Sequence, residues 1–103
     1  MTDKQLISVA RAMRRGILGK RPSAKQCMVV SASLQGYLSA VHGVQTELIT
    51  VDFPEIDHVF LKLADGRILD PTADQFGLDA IYLGEMPELY RGWIGETQKW
   101  AHE

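Results

Sequence analysis

The stretch "SAKQCMVVSASLQGYLSAVHG", Ser23 to Gly43, constrains the fold more than any other part of this chain. Ser23 followed three residues later by Gln26 forms a capping-box pattern, which predicts a helix starting at Ala24. Gly43 is a natural C′ stop, and His42 sits where a cation suits the helix dipole. One stripe of that helix carries Cys27, Ser31, Leu34, Leu38 and Val41, while Val29, Val30, Ala32, Tyr37 and Ala40 make much of the remainder apolar as well. A helix apolar on most sides has to be central, with the rest of the chain packed around it.

What surrounds it changes period at Gly43. Upstream, Leu6, Val9, Ala10 and Met13 recur at helical spacing, so a first helix runs from a Thr2 or Asp3 cap to about Arg15. "GILGKRP", Gly16 to Pro22, reads as a loop. Downstream the alternation is of period two. "VQTELITV", "HVFLKL" and "RILD" read as strands, "DFPEI" as a turn and "DPTADQFGLDA" as a loop. "IYL" is a short fourth strand and "PELYRGW" a terminal turn or short helix. Helices followed by an antiparallel sheet of three to four strands define an α+β fold, with the cysteine-bearing helix central. At 103 residues the chain is expected to form a single domain, 1–103.

Several function classes drop out on composition. No apolar run approaches the roughly 20 residues that cross a bilayer, and the N-terminus lacks a signal-peptide core, so a cytoplasmic protein is expected. One cysteine, Cys27, makes neither an internal disulfide nor a cysteine-rich zinc site. His58, Asp57, Asp70 and Asp74 match no metal-ligand spacing, and no glycine-rich phosphate loop is present, so no cofactor is expected. The net charge of −2 is unevenly placed: residues 1–43 carry seven Lys/Arg against one Asp, and residues 44–103 carry four against twelve Asp/Glu. The reading that needs least is that the two halves fold against each other. No nucleic-acid motif accompanies the basic half.

Three residues remain that neither a helix nor a hairpin needs. Cys27 lies in the first turn of the central helix, where the dipole favours a thiolate and free backbone N–H groups could hold an oxyanion. A buried free cysteine more commonly just fills space. His58 opens an otherwise apolar strand, and Asp70 precedes a proline, which commonly initiates a turn. Singly, none of them demands a function.

Hairpin geometry unites two of them. With a two-residue loop at Asp65-Gly66, Ala64 would pair with Arg67 and leave His58 and Asp70 on opposite sheet faces. With a three-residue loop, Ala64-Asp65-Gly66, and a left-handed Gly66, Leu63 pairs with Arg67. Phe60 then stands opposite Asp70, and His58 becomes its diagonal neighbour, about 7–8 Å away at Cα and within reach of an imidazole–carboxylate bond. The three-residue loop is the expectation. The shared face, His58, Phe60, Ile68 and Asp70, is expected to lie against the central helix. Cys27 would then be a nucleophile, His58 its base and later acid, and Asp70 the group that orients the ring.

The order "QC … HVFLKLADGRILDPTADQF" resembles the papain-like and transglutaminase-like cysteine enzymes. "H-V-F-L-K-L-A-D-G-R-I-L-D-P-T" is similar to the segment "H-x-W-x-x-x-x-D-G-x-x-x-D-P-T" of small bacterial transglutaminase-like domains, with Phe60 in place of the usual Trp. "IYLGEMPELY" looks like the tail that follows it. The resemblance spans about Ser23 to Tyr90 and implies a minimal papain-like core with a Cys27, His58 and Asp70 triad. It also implies an oxyanion donor at or beside the nucleophile, either the Cys27 N–H or the Gln26 side chain. Asp74 is the alternative orienter, and Trp93 and Trp100 are candidates to flank a substrate. The implied activity is thiol-dependent acyl transfer or hydrolysis on a peptide or protein amide, as in a protease, deamidase or transglutaminase. The alternative is a catalytically idle module of the same fold that recognises a peptide or acidic partner.

Overall fold

Thr2 starts the chain's first helix by a reciprocal cap. Its hydroxyl accepts from the Gln5 N–H at 3.1 Å, and its own N–H donates to Gln5 Oε1 at 2.8 Å. The computed structural model describes residues 1–53 and 57–91. Helix α1 (Asp3–Leu18) runs three residues past its expected end. Gly16 costs a helix only about 1 kcal/mol, and Leu18, 3% exposed, repays continuation by packing into the core. Gly19, at φ 60°, closes the helix with its N–H on the Arg15 carbonyl.

Helix α2 (Cys27–His42) begins three residues later than the capping-box pattern predicts. Ser23 does not cap it: its Oγ donates to Asp74 Oδ1 at 2.7 Å, across a long stretch of sequence. Lys25, at φ 62°, is in the left-handed region, which bars the residues before it from the helix. Gln26 occupies the N-cap without a side-chain cap bond. The other end is as expected, with Gly43 left-handed at φ 65° and the Val44 N–H returning to the Leu38 carbonyl.

Strands β1 (Glu47–Asp52), β2 (Asp57–Lys62), β3 (Ile68–Asp70) and β4 (Tyr82–Gly84) form an antiparallel meander in that order, so the fold is α+β. The segment read as a loop after Asp70 contains one 3-10 turn, Ala73–Phe76, and a four-residue helix α3 (Glu88–Arg91) follows β4. The last three residues of the turn expected at "DFPEI", 54–56, lie outside the described residues, as do Trp93 and Trp100.

The β2–β3 hairpin closes through the three-residue loop. Leu63 N–H donates to the Arg67 carbonyl at 2.8 Å, Gly66 N–H donates to the Leu63 carbonyl at 3.0 Å, and Gly66 takes φ 91°. Leu61 pairs with Leu69 and Lys62 with Ile68, and this register sets Phe60 opposite Asp70. Alternation then sorts the strands into two faces. Leu61, Leu63 and Leu69 pack with Leu34 and Leu38 of α2 and with Leu6 and Ala10 of α1. Phe60 and Ile68 pack instead with Ile49, Val51, Met86 and Tyr90. The expectation that the His58 face lies against the central helix is therefore corrected. It faces away from the body of α2, under cover from α3 and the 3-10 turn, because the leucines at the odd positions suit the helices better.

Candidate active site

His58 and Asp70 do share that second face, and they are joined there. Nε2 of His58 lies 2.6 Å from Oδ2 of Asp70, with both residues 0% exposed. The carboxylate is held on all sides: the Tyr90 hydroxyl donates to Oδ2 at 2.7 Å, and the Thr72 N–H donates to Oδ1 at 3.0 Å. A buried carboxylate is stable only when its lone pairs are so occupied. Pro71 ends the strand and lets the chain turn back so that Thr72 meets Asp70, an Asx-type arrangement.

The imidazole is fixed by rings as well as by charge. Phe76 meets it edge-on with centroids 4.6 Å apart, Tyr90 lies 5.4 Å away, and Tyr90 in turn stacks on Phe60 at 5.2 Å. With Nε2 committed to Asp70, Nδ1 is the free nitrogen, and it is buried without a hydrogen-bond partner. A ring nitrogen left without a partner in a dry core costs stability, roughly 1–3 kcal/mol.

Cys27 is the group beside it. As the first residue of α2 it has the helix dipole behind it, and its N–H has no carbonyl one turn back. Its thiol donates to the Asp57 carbonyl at 3.7 Å, at the start of β2, so the helix tip reaches the strand end that carries His58. No hydrogen bond of normal geometry joins Sγ to the ring, yet each group shifts the other. Burial opposes the Cys27 thiolate, but the nearby His58 ring and its charge, with the Val59 and Met28 N–H groups, outweigh it, lowering the thiol pKa. Burial likewise opposes the His58 imidazolium, but the Asp70 hydrogen bond, the nearby Cys27 sulfur and the charges of both raise its pKa to about 9. Both shifts favour the thiolate beside the imidazolium over the neutral pair.

The neighbours settle the remaining sequence candidates. Asp74, the alternative orienter, is taken by Arg14 at 2.9 and 2.8 Å and by Ser23, so it does not serve His58. Ser31 Oγ donates to the Val59 carbonyl at 3.0 Å and stitches α2 to β2. Gln26 stands next to Cys27 with its side chain unused by the helix cap. Among the described residues, no group of three His, Cys, Asp or Glu is placed to hold a metal ion, and no helix is long and apolar enough to cross a membrane.

Tyr90 and Thr72 are the site residues that sequence reasoning missed. Burial, the Asp70 charge and the hydrogen bond to Asp70 all hold the Tyr90 phenol well above its usual pKa, so it remains a proton donor. Its signal was faint: a tyrosine inside a short helix pattern, whose hydroxyl would need a partner if buried. Comparison of the chain with family models, with curated proteins and with solved structures finds no match.

Proposed function

We propose that this domain is a thiol-dependent enzyme that transfers or hydrolyses an acyl group from a peptide or protein amide, acting in the cytoplasm. One observation carries the reading: a fully buried His58 whose Nε2 is clamped by Asp70 while Nδ1 stays unpartnered beside a cysteine at a helix start. Cys27 as thiolate attacks the amide carbonyl carbon. His58 gives its proton to the amine as the C–N bond breaks, and the thioester is then released to water or to an acceptor amine. Asp70 keeps the imidazole in the tautomer and orientation this requires. The Cys27 N–H and the Gln26 side chain are the candidate oxyanion donors. The likeness of His58–Thr72 to transglutaminase-like domains supports the same assignment.

Cys27 is only 6% exposed, and that favours a second reading, a catalytically idle binding module of the same fold. Alkylation by iodoacetamide separates the two. An activated thiol reacts at pH 7 on the order of tenfold faster than an unperturbed one, shows thiolate ultraviolet absorbance below pH 8, and loses both in His58→Ala. An ordinary alkaline profile, the same with and without His58, removes the acyl-transfer reading. Cys27→Ser abolishes turnover under the first reading and leaves partner binding intact under the second.

A further inference from the structure

The charge asymmetry in the sequence is only partly resolved by folding. Of the basic residues before Gly43, Arg14 forms an ion pair with the acidic half, a bidentate one to Asp74 at 2.9 and 2.8 Å. Arg21 turns back onto the end of its own helix, donating to the carbonyls of Leu18 and Ile17. Arg11, Arg15 and Lys20 are exposed, and among the described residues they make no side-chain hydrogen bond or ion pair. All five line one groove of about 410 Å³, floored by Gly19, Ala80 and Ile81. That size falls within the roughly 300–1,000 Å³ of ligand clefts. Arg11 and Arg15 are one helical turn apart and repel each other, a strain that an anionic occupant would relieve.

This groove is not remote from Asp70. Arg14 donates to the Pro71 carbonyl at 3.0 Å, one residue beyond Asp70. Asp74, fixed by Arg14, in turn fixes Ser23 in the segment that leads into Cys27.

We propose that the groove at the end of α1 docks an acidic stretch of the polypeptide whose amide the Cys27 site acts on, so that substrates are selected by glutamate- or aspartate-rich sequence. This rests on the acyl-transfer reading, but the docking is measured without turnover. Fluorescein-labelled octaglutamate, octaglutamine and an eight-nucleotide oligothymidylate are titrated against the full chain, with anisotropy as the readout at low salt and near 0.15 M. The expectation is saturable binding of octaglutamate, weakening with salt, and none of octaglutamine. The double variant Arg11→Gln/Arg15→Gln should weaken binding about three- to tenfold, with an unchanged melting temperature because both side chains are exposed. Absence of saturable octaglutamate binding, equal binding by the double variant, or oligothymidylate bound as tightly as octaglutamate would each overturn the proposal. Arginine-dependent binding together with failed alkylation upholds the groove and removes only the acyl-transfer reading. Activated alkylation without octaglutamate binding removes only the groove.

Discussion

The two faces of the sheet are built on different principles. Toward the helices, Leu61, Leu63 and Leu69 meet Leu34 and Leu38, and Ser31, buried in the same layer, donates to the Val59 carbonyl. On the opposite face Phe60 and Ile68 share their layer with His58 and Asp70, an ionisable pair with no solvent exposure. The first face is explained by the hydrophobic effect alone. The second is not, because apolar residues of similar volume often stabilise a core as well as a buried ion pair does. A buried ionisable pair beside a cysteine at a helix start is the feature on which the acyl-transfer proposal rests.

Removing one partner of the buried pair should have the largest effect. Asp70→Ala leaves the His58 Nε2–H and the Tyr90 hydroxyl without an acceptor in a dry core, which costs about 3–5 kcal/mol. Denaturant unfolding measures the loss. A change below about 1 kcal/mol would mean that water enters the site and that the contrast between the faces is wrong. Asp70→Asn keeps an acceptor, so it should fold better and still slow Cys27 alkylation.

Truncation on the helix face should cost nearly as much and do nothing to the chemistry. Leu34→Ala opens a cavity under α2 and should destabilise by about 2–5 kcal/mol. The pH profile of Cys27 alkylation should be unchanged in the folded variant. If the profile moves, the two faces are coupled more tightly than their separate packing implies.

How much of this contrast is visible in the sequence depends on distance along the chain. The His58–Asp70 pairing was legible because both residues sit on one hairpin, and Asp65-Gly66 narrows the loop to two choices with opposite outcomes. Which face the helices would cover was not legible, since alternation fixes that residues share a face and not what lies over it. The start of α2 was misread for the same reason. Ser23 has the right neighbour at Gln26, but Asp74, far along the chain, claims its hydroxyl. Tyr90 was missed because its partner Asp70 lies 20 residues away and no periodicity links them.

The buried pair also makes stability depend on pH, and the sign follows from the direction of the shift. His58 is raised from its ordinary value of 6.5 to about 9. Its contribution is therefore fully present below pH 6.5 and is lost as pH rises through about 9, and its size is on the order of 3 kcal/mol. Cys27, shifted downward, acts oppositely: its contribution is present above the ordinary thiol pKa and is lost as pH falls through the lowered one. In a Cys27→Ser background, which removes the opposing thiol, melting temperatures from pH 6 to 10 should fall, and the slope should flatten when His58→Gln is added. A slope that survives this substitution would assign the titration to another group.

The smallest expected effect tests the hairpin that brings the two residues onto one face. Gly66 sits at φ 91°, where a Cβ collides with the backbone, so Gly66→Ala should cost about 1–2 kcal/mol. Gly66→Asn should cost less, because asparagine tolerates the left-handed region. Neither change should alter the alkylation profile if the register holds. The reason is that slipping the pairing by one residue would turn His58 toward the leucine layer. That slip would bury an imidazole against Leu34 and Leu38 with no carboxylate in reach, a far larger penalty than the strained turn. A Gly66→Ala variant that keeps its fold and loses thiol activation would show that the turn, rather than the packing of the two faces, sets the register.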